Sequence, residues 1–164
     1  MTKPQNIIAI DPDVDKSGVA FLKCSTKQLE LSTLSFPNLL DYLRFVKRQA
    51  EVTGETYKVL IEAGWLNKTN WHLTKNDTRA VCAAKGNHAG RNQETGRKIE
   101  EMCKHWEMPC ELVKPLRKCW KGADRKITHD ELAKFTGIKG RTNQEMRDAA
   151  LISWIYAGFP VKIH

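Results

Sequence analysis

Three aspartates, Asp11, Asp13 and Asp15, alternate through the stretch IIAIDPDVDKSGVAFL, and further carboxylates of interest, Glu62, Glu145 and Asp148, stand far along the chain. Carboxylate oxygens can hold hard divalent cations, act as nucleophiles or move protons. Taken as a calcium loop, D-x-D-x-D supplies the first three ligand positions. It fails at the sixth, where Lys16 replaces the needed Gly, and at the twelfth, where Leu22 replaces a bidentate Glu. A two-metal site instead uses acids that the fold gathers from distant segments. Asp11 closes the apolar run IIAID and Glu62 closes VLIE. If these runs are parallel neighbouring strands, roughly 4.8 Å apart, both carboxylates can grip one cation. A solvated strand end is the plain alternative for Glu62, but a charge closing a buried run is costly without a metal or charged partner. Glu145 and Asp148, three residues apart, share one face of the last predicted helix. That stripe continues through Ile152 and Ile155, which turns it toward the sheet; dipole capping is the competing explanation.

The elements that must position these acids are legible from periodicity. NIIAID, GVAFLKC and LELSTL are three strands with short links, hence an antiparallel meander. From Pro37, apolar residues recur at Leu39, Tyr42, Leu43 and Val46, a helix ending near Gly54, and KVLIE follows as a buried strand. Residues 67–90 have little periodicity and are expected to form a long loop, with a helical turn around DTRAVCAA. A helix begins at Asn92, carrying Ile99, Met102, Cys103 and Trp106 on one face, and CELV is the next strand. Thr128 with Glu131 makes a capping box for a helix stopped by Gly137, and the last helix runs from Asn143 to Gly158. The order βββαβαβαα, without linker or repeat, predicts a single domain over 1–164, a mixed five-stranded sheet flanked by helices.

The net charge of +8 suits a polyanionic partner. Residues 67–98 hold seven Lys or Arg against Asp77 and Glu94, and KPLRKCWKGADRK holds six against Asp124. Lys114, Lys118 and Lys121 are candidates for phosphate contact, with Lys121 placed to offset charge at a scissile phosphate. Trp71, or Trp65, could stack on an unpaired base, and Arg91 and Arg97 could meet the backbone. Core packing competes for the tryptophans, and plain solvation for each cation; Trp106 and Trp154 are assigned to the core. Five cysteines without C-x-x-C spacing and five scattered histidines suggest reduced thiols and no zinc site. No run matches a membrane span or a signal peptide, so a cytosolic protein is expected.

An apolar strand ending in D-x-D resembles the haloacid-dehalogenase phosphatases, with Asp11 as nucleophile and Asp13 as acid. That family needs a later acidic pair on a loop after a strand, which is not found. A broader resemblance covers most of the chain. Asp11-Pro12 followed by Gly18, Glu62 after a strand, and Glu145-x-x-Asp148 leading into AALISWIYAG resemble the RuvC-type Holliday junction resolvases of the RNase H-like superfamily. GRNQETGRKIEEMCKHWEMPCELVKP resembles that family's central helix and following strand, and KGADRKITHDELAKFTG its basic loop and next helix. Departures are Asp13 where the family has Gly, Glu145 for a usual Asp, and the aromatic of the long loop.

The resemblance implies an RNase H-like fold and an endonuclease hydrolysing phosphodiesters of branched DNA with two Mg²⁺ ions, Mn²⁺ being a substitute. Asp11, Glu62, Glu145 and Asp148 would hold the metals, with Asp15 and Asp13 in reserve. It further implies a homodimer in a bacterial cytoplasm or a phage-infected host. Alternatives from other classes are an RNase H-like nuclease for RNA or RNA–DNA hybrid and a non-catalytic nucleic-acid binder. A sugar-kinase or actin fold needs roughly twice this length.

Overall fold

Strands β1 (Asn6–Asp11), β2 (Ser17–Lys23) and β3 (Gln28–Leu34) form an antiparallel meander in a computed structural model that describes residues 2–67 and 73–162. On the other side of β1, β4 (Tyr57–Glu62) and then β5 (Cys110–Val113) add in parallel, so the sheet order is β3-β2-β1-β4-β5. Helices α1 (Phe36–Thr53), α2 (Arg79–His105), α3 (His129–Thr136) and α4 (Gln144–Tyr156) cover it.

Both sheet faces are buried, which explains why β1 is an unbroken apolar run rather than an alternating one. Ile7 and Ala9 point into a core completed by α3 and α4, while Ile8 and Ile10 point into a second core built from α1 and α2. Residues Ala149–Trp154 of α4 are buried without a break. The helix is thus apolar all round in its middle, as a helix lying in a core must be. The apolar stripe ends sooner than the sequence suggests, since Ile155 is 42% exposed. Trp154 and Trp120 are core residues, and Trp106 packs at the edge of the second core. Gly54 closes α1 in the left-handed conformation, and the Thr128–Glu131 box opens α3 as its sequence predicts.

The long loop is shorter than expected. Helix α2 starts at Arg79 rather than Asn92, capped by the Thr78 hydroxyl, which accepts the Val81 N–H at 3.2 Å. Asp77 pins the approach by accepting the Thr74 N–H at 2.8 Å and pairing with Lys85 at 2.8 Å. This half of α2 hides from a periodicity argument because little of it is covered: the helix buries only Gly96, Ile99 and Cys103. Among the described residues no helix is long and apolar enough to cross a membrane.

Candidate active site

Strand parity sends Asp11 to the same face as Ile7 and Ala9, and Glu62 to the same face as Leu60, which is the face covered by α4. The parallel register pairs Ile10 with Ile61, so one further step sets Asp11 beside Glu62 at the strand ends. Across the hairpin Asp11 faces Gly18. There the first turn of α4 comes down on the sheet: a Cβ on Gly18 would lie 2.1 Å from the Glu145 carbonyl oxygen. A bare backbone at position 18 is what admits α4, and α4 then delivers Asp148 over the two strand-end acids. Asn143 fixes where α4 starts by accepting the Met146 N–H at 2.9 Å.

Gathering these acids has an electrostatic consequence. Burial, then Glu62 and Asp148, and last Glu145, raise the Asp11 carboxyl well above its ordinary range, against the pull of Lys126. Glu62 is pushed up to about 7, first by burial and then by Asp148, opposed by Lys126 and Lys118. The Lys126 ammonium sits 3.2 Å from Asp148 Oδ2. Burial disfavours its charge, but Asp148, Asp11 and Glu62 outweigh burial and raise its pKa. The other Asp148 oxygen accepts Gln144 Nε2 at 2.8 Å, and Arg147 steadies Gln144 through a 3.0 Å bond to Oε1.

Among the described residues no three His, Cys, Asp or Glu side chains close into a ready-made metal cage, and Asp148 is turned instead to Lys126 and Gln144. The donor set nevertheless suits a hard divalent cation, being carboxylate oxygen throughout. Three carboxylates, Glu62, Asp148 and Glu145, act on Asp11 against the half-buried ammonium of Lys126, with Lys118 reaching only Glu62, which leaves a deficit of positive charge that such a cation answers.

Asp13 has a different task. Its Oδ1 accepts the N–H groups of Asp15 at 2.8 Å and Lys16 at 3.3 Å, and its Oδ2 accepts Asn92 Nδ2 at 3.3 Å. Asn92 Oδ1 in turn accepts the Val14 N–H at 2.9 Å. Asp13 therefore shapes the β1–β2 turn and ties it to α2, so its oxygens are spent on turn N–H groups and the Asn92 amide rather than aimed at a phosphate, and the phosphatase reading loses its acid. Asp15 is exposed on the same turn. Helix α2 comes close through Gly96, where a Cβ would meet the Trp65 ring at 2.7 Å and Pro12 Cγ at 3.2 Å.

The basic candidates are dispersed. Arg97 lies 5.2 Å from the Trp65 ring centroid and 3.9 Å from Glu94, while Arg91 and Lys114 are exposed. Lys118 is exposed, with its charge reaching Glu62. The Lys121 N–H donates to the Glu131 carboxylate at 3.1 Å, and its charge acts on Glu131 rather than on the strand-end acids. Trp71 lies outside the described residues. The sequence reading missed Lys126 and Gln144. A clue to Lys126 was available, since it stands two residues before the capping box that fixes the start of α3.

Three antiparallel strands followed by two parallel ones in this order, helices on both faces and acids at the strand ends define an RNase H-like fold. A solved structure of T. thermophilus RuvC in complex with a Holliday junction substrate is similar to it. The likeness covers 93% of this chain and 92% of that one with a TM-score of 0.53, at 12% sequence identity, and is one of fold. No family model and no curated protein matches the sequence.

Proposed function

We propose that this chain is a divalent-metal-dependent, structure-selective endonuclease that resolves four-way DNA junctions by phosphodiester hydrolysis, with residues 1–164 acting as one nuclease domain. The observation that carries the reading is the convergence of Asp11, Glu62 and Asp148, with Glu145 close behind, from three elements onto one end of the sheet. These four would hold two Mg²⁺ ions, or Mn²⁺ in their place, with Asp11 the central candidate ligand. Such ions supply Lewis-acid activation of water and neutralise charge that builds on the phosphate.

The chain's own residues do the rest. Gln144 and Arg147 keep Asp148 oriented, and Lys126 compensates the acids while they are close together. Lys114, Lys118 and Lys121 surround the loop before α3 and would meet DNA phosphates, as would Arg91 and Arg97 from α2, with Trp71 a stacking candidate. A four-way junction is close to two-fold symmetric, so paired nicks call for two copies of the site and hence a homodimer.

The test is direct. Purified protein with Mg²⁺ nicks synthetic four-way junctions in preference to linear duplex, and Asp11→Asn abolishes cutting while sparing binding. Equal cutting of junction and duplex, or an undiminished variant, sinks the proposal, and preferential cutting of RNA–DNA hybrid transfers the site to another kind of nuclease.

A further inference from the structure

Beside the acid site runs a trough that none of the roles above uses. One wall is the outer part of β3 and the turn before it, where Leu29, Leu31 and Thr33 follow one another at alternate positions of one face. The opposite wall is the segment joining α3 to α4, through Lys139, Arg141 and Asn143 to Glu145. Thr33 and Asn143 border the cleft at Glu145, and Leu31 and Arg141, two residues away on each wall, border a second cleft, so the two clefts adjoin along β3.

The two ends differ in charge. Near the acids the lining carries Asp13, Asp15 and Glu145 together with Lys16 and His88. At the far end it carries Lys27, Lys139 and Arg141, with no carboxylate among the lining residues. None of these three cations makes an ion pair among the described residues. Lys27 is held in place instead, with a left-handed backbone (φ 57°) and its ammonium 5.0 Å from the centre of the Phe159 ring. Three exposed cations around a cleft whose lining holds no carboxylate leave a local excess of positive charge that favours an anionic occupant.

From Thr33 back to Lys27 is six residues of near-extended chain, roughly 20 Å at about 3.3 Å each. That length spans only a few phosphates of one strand, because the backbone winds around the axis and its contour exceeds the rise of about 3.4 Å per nucleotide. We propose that the trough carries the phosphate backbone of one DNA strand away from the acid site, and that Lys27, Lys139 and Arg141 bind its phosphates a few nucleotides from the point of cutting. The inference rests on the nuclease reading for the identity of the strand, and on the charge and continuity of the trough for its path. An acidic peptide is the competing occupant.

The experiment uses the full chain in an Asp11→Asn background, with Lys27→Gln, Lys139→Gln and Arg141→Gln combined. All three side chains are exposed, so an unchanged melting temperature is expected. Binding of a fluorescent four-way junction is followed by anisotropy across a salt series. The combined variant should bind about tenfold or more weakly at low salt, with a log–log salt slope shallower by roughly 2.7, close to 0.9 for each lost contact. The difference should vanish when the phosphates a few nucleotides from the crossover are replaced by uncharged methylphosphonates, which removes the contacts without shortening the arms.

Unchanged affinity and slope overturn the proposal, as does a loss that survives removal of those phosphate charges. Retained DNA binding with lost polyglutamate binding overturns it in favour of a peptide. If the parent binds DNA but wild type cuts no junction, the nuclease reading fails and the trough is still judged by the binding series. If the parent binds no nucleic acid, both fail.

Discussion

Gly18→Ala is the sharpest perturbation of the positioning argument. The added Cβ would lie 2.1 Å from the Glu145 carbonyl oxygen, 2.3 Å from its carbonyl carbon and 2.9 Å from its Cβ. An ordinary contact begins near 3.4 Å, so the shortfall is about 1.3 Å (3.4 − 2.1), and the obstacles are backbone that no rotamer change clears. Either β2 or the first turn of α4 must move by on the order of 1 Å. Because Ala149–Trp154 of the same helix are locked in the core, that shift strains packing along α4. Overpacking of this kind costs about 1–3 kcal/mol or somewhat more. It also displaces Glu145 and Asp148 from Asp11, and a misplacement of about 1 Å in a catalytic constellation costs on the order of a hundredfold in rate. Urea denaturation gives the first number and junction nicking at saturating protein the second. Gly86→Ala is the control, because a Cβ there meets nothing within 4 Å, and the swap should stabilise α2 by about 0.5–1 kcal/mol. If Gly18→Ala proves as stable and as active as wild type, then α4 is not held against β2 as described, and the route by which Asp148 reaches Asp11 is wrong.

Glu62→Gln should stabilise the metal-free protein at pH 8. The carboxyl titrates near 7 in the fold but near 4.5 unfolded, so its ionised form is disfavoured by folding, by up to roughly 3 kcal/mol above pH 7. As pH falls from 7 toward 4.5 the folded state takes up the proton first, the penalty fades, and the variant's advantage in denaturation midpoint should fade with it; a gain independent of pH would contradict the assignment. Asp13→Ala and Asn92→Ala should each cost about 1–2 kcal/mol by leaving turn N–H groups without their acceptor. The double variant should cost less than the sum, and full additivity in denaturant titrations would deny that the two act as one clamp.

Several features were legible because they depend on local pattern. IIAID and VLIE are short apolar runs each closed by an acid, and a run buried on both faces is continuous wherever it occurs, so the parallel pair β1–β4 could be inferred before its register was known. Thr128 and Glu131 are three residues apart and satisfy each other's backbone, a contact written in the sequence itself. The first half of α2 was not legible, because periodicity reports burial and that half is largely uncovered. Asp13 stood unexplained for a related reason, since its partner Asn92 lies 79 residues away and only the fold brings them together. Gly18 was visible as a turn-compatible residue, yet its reason is the approach of Glu145 from the far end of the chain.

Lys126 illustrates a harder limit. Six cations crowd the segment from Lys114 to Lys126, and charge alone makes them equivalent. What separates Lys126 is position: the capping box fixes the start of α3, the chain enters that helix beside α4, and the ammonium lands on Asp148 with Asp11 and Glu62 in range. Bringing like charges together is unfavourable, and the fold tolerates it here by supplying one counter-charge and by gripping the far oxygen of Asp148 through Gln144. The two devices are not equivalent. An ammonium on a flexible stem can withdraw when a stronger cation arrives, whereas Gln144 is itself held by Arg147, whose guanidinium also reaches the Thr142 carbonyl at 2.8 Å. Asp148 therefore keeps its orientation whether or not Lys126 stays, which is the property that the proposed exchange of Lys126 for a metal cation requires of it.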